Sequence, residues 1–209
     1  MIPQIWNWFM NLIIIHTFLP KYFHNLNISL NLVSLSHALL TIMGSLYFIM
    51  NETWENDTFN DNQLKLIYFS ASYFIYDSIF ILINKCELMF LAHHCLILLI
   101  YYITTSNNIG SKFIIYSIFL GEITNPLQIT WSISRVINYN KITDYIFPIF
   151  SFNFIIVRTF VIPYYHYLLL KDMFGNSYTI INYTLIIISL IGNIGSLMWV
   201  RAIILKLIK

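Results

Sequence analysis

Charged side chains are the scarcest feature of this chain, because only 10% of its 209 residues are Asp, Glu, Lys or Arg. A water-soluble domain of ordinary composition carries about 25% charged residues, since its surface must be hydrated. Eleven cations and nine anions cannot cover a globule of this size, which excludes a soluble domain. The net charge of +2 also gives no basic surface of the kind that binds nucleic acid.

Cysteine is equally rare, and the chain shows no sign of a cleaved leader. Cys86 and Cys95 have neither the number nor the spacing of a disulfide framework or a metal site. The N-terminus, MIPQIWNWFM, lacks the basic region and the small-residue cleavage site of a signal peptide. We therefore expect the first apolar segment to be retained.

Apolar residues take the place of the missing charges: they make up 58% of the chain, and the mean hydropathy is +0.71. About 20 apolar residues suffice for a helix to cross a bilayer. Segments of this kind lie at 5–19, 30–50, 64–84, 88–105, 112–136, 145–170 and 179–205. They do not alternate in polarity as barrel strands do, and unpaired backbone is costly in lipid, so we predict helices.

The predicted fold is therefore an all-α polytopic membrane protein with about seven transmembrane helices. We divide it into an N-terminal span and loop, residues 1–29, and a helical domain, residues 30–209. No loop between the spans is long enough to form a domain of its own.

Lysine and arginine predict the orientation, because seven fall on one side of the spans and three on the other. The first side holds Lys21, Lys85, Arg135, Lys141, Arg201, Lys206 and Lys209, and the second holds Lys65, Lys112 and Lys171. The richer side is expected to face the cytosol, together with the C-terminus. The loop 51–63 then lies outside, where the sequons at Asn51 and Asn56 are open to glycosylation.

Ionisable residues inside the spans are expensive, so each is a candidate for function. The candidates are His37, Asp77, His93, His94, Glu122, Arg158 and His166. Counted along straight helices, the first four lie roughly 8–11 Å below the cytosolic boundary. Glu122 and Arg158 lie roughly 20 Å deep. The sequence thus predicts two groups at two depths.

The His/Asp group has three interpretations. An aspartate beside an imidazole can fix its tautomer and raise its basicity, which suits a general base, and an imidazole can also act as a nucleophile. The same residues could instead form helix–helix hydrogen bonds. They could also bind zinc or iron, but adjacent histidines lack the spacing that places two ligands on one helical face, and we predict no metal.

Glu122 and Arg158 also have two interpretations. A buried ion pair would neutralise two costly charges and fix the helix register. Alternatively, the two side chains contact a lipid head group.

Small residues and prolines in the later spans suggest how these spans pack. Ser189, Gly192 and Ser196 recur at helical spacing, which is typical of a helix–helix packing seam. Kinks are expected at Pro126, Pro148 and Pro163. Trp199 also suits an anchor at the membrane interface.

Five segments in order resemble one family, the TLC domain proteins. They are VSLSHALLTIMGSLYF (33–48), YFIYDSIFIL (73–82), ELMFLAHHCLILL (87–99), GEITNPLQITWSISR (121–135) and FNFIIVRTFVIPYYHY (152–167). The family includes translocating-chain-associating proteins, ceramide synthases, the Batten-disease membrane protein and the TLC-domain-containing proteins.

The resemblance implies six helices around a central lipid-accessible cavity, an extra N-terminal span, and a place in the endoplasmic reticulum. In ceramide synthases the His-His pair is catalytic, and a long acyl chain passes from coenzyme A to a sphingoid amine. Carried over, His93 and His94 are the base or the acyl-accepting residues, and Asp77 is their partner. His37, Glu122 and Arg158 are expected to contact substrate, with acyl-coenzyme A as a substrate and no bound cofactor.

One departure from the ceramide synthases leaves the activity open. Their second motif contains His-Asp-x-x-Asp, whereas the corresponding region here reads YSIFLGEITNPLQITW. The chain therefore resembles the small TLC-domain-containing branch most closely. A lipid-binding or lipid-homeostasis protein without catalysis is the main alternative, and a cargo or translocon accessory is a third.

Overall fold

A computed structural model of the chain describes residues 4–5, 7–12, 26–54, 57–84, 88–174 and 180–208. Residues 4–5 and 7–12 are helical. The helices that follow are α1 (Leu26–Asn51), α2 (Asp61–Asn84), α3 (Leu88–Asn107), α4 (Ser111–Glu122), α5 (Asn125–Val136), α6 (Asn140–Ile156), a π-helical segment (Val157–Val161), α7 (Ile162–Phe174) and α8 (Ile180–Leu207). The described residues contain no strand.

Five helical stretches among the described residues are long and apolar enough to cross a membrane. They are Ile28–Asn51, Asp61–Ile83, Leu88–Asn107, Asn140–Asp172 and Ile180–Leu207. The prediction of an all-α protein with several membrane spans is confirmed. Most of the predicted first span, 5–19, lies outside the described residues, but Ile5 accepts a hydrogen bond from Ser72 of α2 at 3.1 Å.

The predicted span 112–136 is not one continuous helix. It consists of α4 and α5, each of 12 residues, and the break lies at Ile123 and Thr124. Pro126 sits in the first turn of α5 and has no backbone N–H, so the Glu122 carbonyl loses its usual intrahelical donor. The expected kink at Pro126 is therefore present as a break, and the predicted single span 112–136 consists of two helices.

The predicted span 145–170 is continuous but contains one wide turn. Within Val157–Val161 the helix becomes π-helical, and the Ile162 N–H donates to the Val157 carbonyl five residues back. Pro163 follows directly and cannot donate to the carbonyl of Thr159, which favours a local change of winding. Such π turns occur often at functional sites, and this one carries Arg158.

The spanning helices pack as a closed ring. Going round it, α1 contacts α2, α2 contacts α3, α3 contacts α8, and α8 contacts α6 and α7. The ring is completed by α4 and α5, which contact α7 and α6 respectively and both pack against α1. One apolar core joins α1 to α4 through residues such as Ile67 and Ile114, and a smaller one joins α6 to α8 through Phe150 and Val200.

A loop aspartate stabilises one end of this ring of helices. Asp57 accepts hydrogen bonds from the backbone N–H groups of Gly110 and Lys112, both at 3.1 Å. It thus caps the first turn of α4, although it lies 53 residues before Gly110. Burial raises the pKa of the Asp57 carboxyl, while these two hydrogen bonds act in the opposite direction and offset only part of the rise.

Candidate functional site

The ring encloses a cavity of about 580 Å³, which is the size of sites that hold small organic ligands. Every ionisable residue singled out from the sequence lines it. These residues are His37, Asp77, His93, His94, Glu122, Arg158 and His166. Apolar side chains such as Phe74, Ile97 and Phe154 form much of the remaining wall. A cavity of this kind accommodates an amphipathic molecule.

His94 and Asp77 form an imidazole–carboxylate pair in this wall. The distance from His94 Nε2 to Asp77 Oδ2 is 3.6 Å. The other ring nitrogen, Nδ1, lies 3.4 Å from Ser78 Oγ, which itself donates to the Phe74 carbonyl at 2.6 Å. A neutral imidazole carries one proton, so the His94 ring can donate either to Asp77 through Nε2 or to Ser78 through Nδ1. Nε2 is the ring nitrogen nearer to Asp77, and both residues line the cavity.

The sequence explains why His94 and Asp77 meet. Only residues 85–87 separate the end of α2 from the start of α3, so neighbouring antiparallel helices bring residues equally far from the connection to one level. Asp77 lies seven residues before Asn84, and His94 lies six residues after Leu88. The prediction that they share a depth is confirmed.

His93 faces another part of the same cavity. Successive residues on a helix point about 100° apart, so the two rings diverge, with their centroids 5.9 Å apart. His93 packs edge-to-face against Trp199 of α8, at 5.2 Å between ring centroids. Trp199 therefore lies in the cavity wall.

A second imidazole–carboxylate contact joins α1 to α4. His37 Nδ1 lies 3.9 Å from Glu122 Oε1, and His37 Nε2 lies 3.2 Å from Ser70 Oγ. Ser70 in turn contacts the hydroxyl of Tyr101 at 3.1 Å. His37 is only 2% exposed and stacks on Tyr73 with centroids 3.9 Å apart, so its ring is held on both faces and edges.

The contact between His37 and Glu122 corrects the prediction of two depths. A straight helical count separates these residues by about 10 Å along the membrane normal. The count fails because α4 ends at Glu122, and the break before α5 removes the straight geometry on which it depends. The two predicted groups therefore form one cluster in one cavity.

Arg158 binds the broken helix directly. Its Nη2 donates to the Gly121 carbonyl, in the last turn of α4, at 2.6 Å and to Thr124 Oγ1, in the break itself, at 3.3 Å. Glu122 Oε2 accepts from Asn125 Nδ2 at 2.7 Å. Among the described side chains Arg158 and Glu122 form no ion pair within 4.0 Å, so the direct pair considered from the sequence is not present.

The small residues of α8 also differ from their prediction. Ser189, Gly192 and Ser196 line the cavity, and a Cβ placed on Gly192 would meet no atom within 4 Å. They are therefore not a packing seam. Close helix packing occurs elsewhere, at Gly44 of α1, where an added Cβ would lie 2.9 Å from the side chain of Leu66 in α2.

The cavity extends to the C-terminal end of α8. Trp131 of α5 and Lys206 of α8 line this end. The indole of Trp131 lies beneath two cations, with Arg135 at 4.9 Å and Lys206 at 5.2 Å from the ring centroid. The spacing of Trp131 and Arg135, four residues apart on one helix, is the only sequence signal for this group.

A family model described as the TLC domain matches residues 27–205, which is most of the chain. No curated protein and no solved structure matches it. The family consists of membrane proteins linked to lipid metabolism and sensing. The extent of this match and the ring of helices agree with the resemblance carried by the motifs. The chain belongs to the TLC domain family.

Proposed function

We propose that the protein binds a membrane lipid in the central cavity and transfers an acyl group to or from it, with His94 as the general base. The observation that carries this proposal is the contact between His94 and Asp77, 3.6 Å apart in a mainly apolar cavity. A base in such a wall reaches the polar group of a lipid while the chain remains in apolar surroundings.

The reaction moves one proton from the acceptor lipid to His94 and then from His94 to the leaving group. The His94 imidazole removes a proton from the amine or hydroxyl of the acceptor lipid as that atom attacks the carbonyl of an acyl thioester. The new bond to the carbonyl carbon forms, the carbon–sulfur bond breaks, and the leaving thiolate takes the proton from the imidazolium. Asp77 stabilises the imidazolium between the two transfers. Acyl-coenzyme A supplies the thioester and is the expected partner.

The other cavity residues have supporting roles in this proposal. His93 lies beside His94 and faces the same space, so it positions the carbonyl or serves as the acyl acceptor itself. Glu122 offers a carboxylate to the polar head of the acceptor lipid, and His37 positions that carboxylate from 3.9 Å. Arg158 holds the wall in which Glu122 lies, through the carbonyl of Gly121.

The excess of lysine and arginine at one end of the bundle supports an orientation in which Trp131, Arg135 and Lys206 face the cytosol. Acyl-coenzyme A is water-soluble and arrives from that side. The TLC domain supports a site of action in the endoplasmic reticulum or a related endomembrane.

Lipid binding without catalysis is the second candidate, and one feature favours it. The region that carries His-Asp-x-x-Asp in ceramide synthases, residues 116–131 here, forms the broken helix with Glu122 at its centre. Under this candidate the same residues hold a lipid head group, and the lipid is released unchanged.

Lipid analysis of cells that express the protein separates the two candidates. Acyl transfer predicts a new or enriched acylated lipid with the wild type and its loss with His94→Ala. Cys95→Ala is the matched control, because Cys95 is the next residue on α3 and is exposed on the outer side. A lipid profile that is the same for the wild type and His94→Ala would favour binding alone.

A further inference from the structure

The wall formed by the π-helical segment, α7 and α8 contains buried polar atoms without a hydrogen-bond partner among the described residues. They are Arg158 Nε, His166 Nδ1, Ser189 Oγ, Ser196 Oγ and Trp199 Nε1. All five side chains line the central cavity. We call them the α8 wall. Buried polar atoms are almost always satisfied in proteins, because leaving one unpaired costs about 1–3 kcal/mol.

The α8 members of this wall share one face of the helix. Ser189 and Ser196 are seven residues apart, which is close to two full turns, and Trp199 follows three residues later. At a rise of 1.5 Å per residue they cover about 15 Å of the cavity. Trp199 contacts His93 at one end of this face, and Ser189 lies at the other end.

Arg158 and His166 each contact a neighbour through another nitrogen. Arg158 Nη2 binds the broken helix through Gly121, and His166 Nε2 lies 3.3 Å from Ser117 Oγ. This leaves Arg158 Nε and His166 Nδ1 to face a ligand. Arg158 is 9% exposed, and Ser189 and Ser196 are each 5% exposed, so bulk water does not satisfy the wall.

We infer that the α8 wall binds the oxygen atoms of a lipid linkage, such as an ester or amide carbonyl with an adjacent hydroxyl. The inference rests on the proposed function for its cavity, and it adds which wall recognises the lipid and by what chemistry. Arginine Nε and tryptophan Nε1 can only donate hydrogen bonds, and each serine hydroxyl can donate one. Oxygen acceptors on the ligand therefore match the wall, whereas a plain hydrocarbon chain would leave it unsatisfied.

Gly192 makes room for this linkage between the two serines. A Cβ at Gly192 would meet nothing within 4 Å, so the backbone of α8 borders open cavity at this turn. A larger side chain at position 192 would occupy the space between Ser189 and Ser196. Gly195 lies on the same helix, also has open space at its Cβ position, and does not line the cavity, which makes it the matched control.

Photolabelling of the protein in nanodiscs tests the inference. The first probe is 1-oleoylglycerol with a diazirine in its acyl chain, and the second is octadecane with the same diazirine. The wild type is expected to be labelled at a lower half-saturating concentration by the glycerol ester than by the hydrocarbon. The double variant Ser189→Ala/Ser196→Ala should weaken labelling by the ester about 5- to 30-fold, since each lost hydrogen bond accounts for about fivefold.

Control variants separate the wall from the fold. Ser36→Ala removes an exposed hydroxyl that donates to the Leu32 carbonyl of its own helix, and it should label like the wild type. Gly192→Leu should block both probes, whereas Gly195→Leu should leave both unchanged. Equal labelling by the two probes, or unchanged ester labelling in the double serine variant, would overturn the inference and indicate a wall hydrated by water.

The experiment also separates this inference from the proposed function. His94→Ala should be labelled by the ester more strongly than the double serine variant, because it removes the base and leaves the α8 wall intact. If ester binding depends on the serines and no acyl transfer occurs, the catalytic proposal is wrong and the inference about the α8 wall stands. If acyl transfer occurs and binding does not depend on the serines, the inference about the α8 wall is wrong and the catalytic proposal stands.

Discussion

Nη2 of Arg158 donates a hydrogen bond of 2.6 Å to the carbonyl of Gly121, at the point where the helix that continues from α4 into α5 is broken. The guanidinium of Arg158 thus donates to a carbonyl in the last turn of α4. The next carbonyl, that of Glu122, has no intrahelical donor, because residue 126 is a proline. The π turn that carries Arg158 and the end of α4 that carries Gly121 are thus in contact, and Glu122 next to Gly121 lines the cavity.

Loss of this hydrogen bond should destabilise the protein. Arg158→Met keeps an unbranched side chain and removes the donor, and we expect a loss on the order of 1.5–3 kcal/mol, which is usual for a hydrogen bond from a charged group. Arg158→Lys retains one charged donor and should lose less. Thermal unfolding in detergent measures both, and equal unfolding temperatures for Arg158→Met and the wild type would contradict the assigned role.

Asp77 should matter for turnover more than for stability. Asp77→Asn preserves the size of the side chain but removes the charge that stabilises the His94 imidazolium. We expect kcat to fall about 100-fold or more, as is usual when acid–base catalysis is disabled, with little change in KM. Asp144→Asn, an acidic-to-amide change at an exposed residue of α6, is the control. A change in KM alone would assign Asp77 to lipid binding.

The cap that Asp57 provides to α4 should be measurable. Asp57→Ala removes the acceptor for the N–H groups of Gly110 and Lys112, and we expect a loss of about 1 kcal/mol, as for other N-terminal caps. Asp57→Asn keeps one acceptor oxygen and should lose less. If both variants unfold at the wild-type temperature, the cap contributes nothing to stability.

The raised pKa of Asp57 makes the free energy of unfolding depend on pH. The stability that comes from the protonated carboxyl is complete below the unfolded pKa of about 3.9 and is lost as the pH rises through the higher folded pKa. The wild type should therefore lose stability relative to Asp57→Asn as the pH is raised from below this value to neutrality. A gain over the same interval would mean that the hydrogen bonds outweigh burial.

The orientation predicted from the basic residues can be tested by glycosylation. Asn51 ends α1 at the end of the bundle opposite to Lys206, and its side chain is exposed. An acceptor sequon inserted in the loop 51–60 should be glycosylated in microsomes, whereas one appended after Lys209 should not. The reverse pattern would place the C-terminus outside and the Lys206 end of the cavity away from the cytosol.

Contacts that depend on regular helices could be predicted from the sequence. Asp77 and His94 meet because a short connection joins two straight helices, and the residue count alone places them at one level. The TLC motifs likewise placed every candidate residue in one bundle. Periodicity and connection length carry this information without knowledge of side-chain packing.

Contacts that depend on irregular backbone could not be predicted. Pro126 signals a kink, but the sequence does not state that the kink becomes a break that brings Glu122 within 3.9 Å of His37. Ser189 and Gly192 were interpreted as a packing seam because small residues serve helix packing and cavity walls equally well. Only the space around Gly192 distinguishes the two cases.

Acyl transfer by the purified protein tests the central claim most directly. Protein in proteoliposomes is supplied with isotope-labelled oleoyl-coenzyme A and a mixture of lipid amines and alcohols, and mass spectrometry follows the label into lipid. The wild type and Cys95→Ala should form a labelled amide or ester with release of free coenzyme A, and His94→Ala should form about 100-fold less or none. Label transfer by His94→Ala at the wild-type rate would contradict the account.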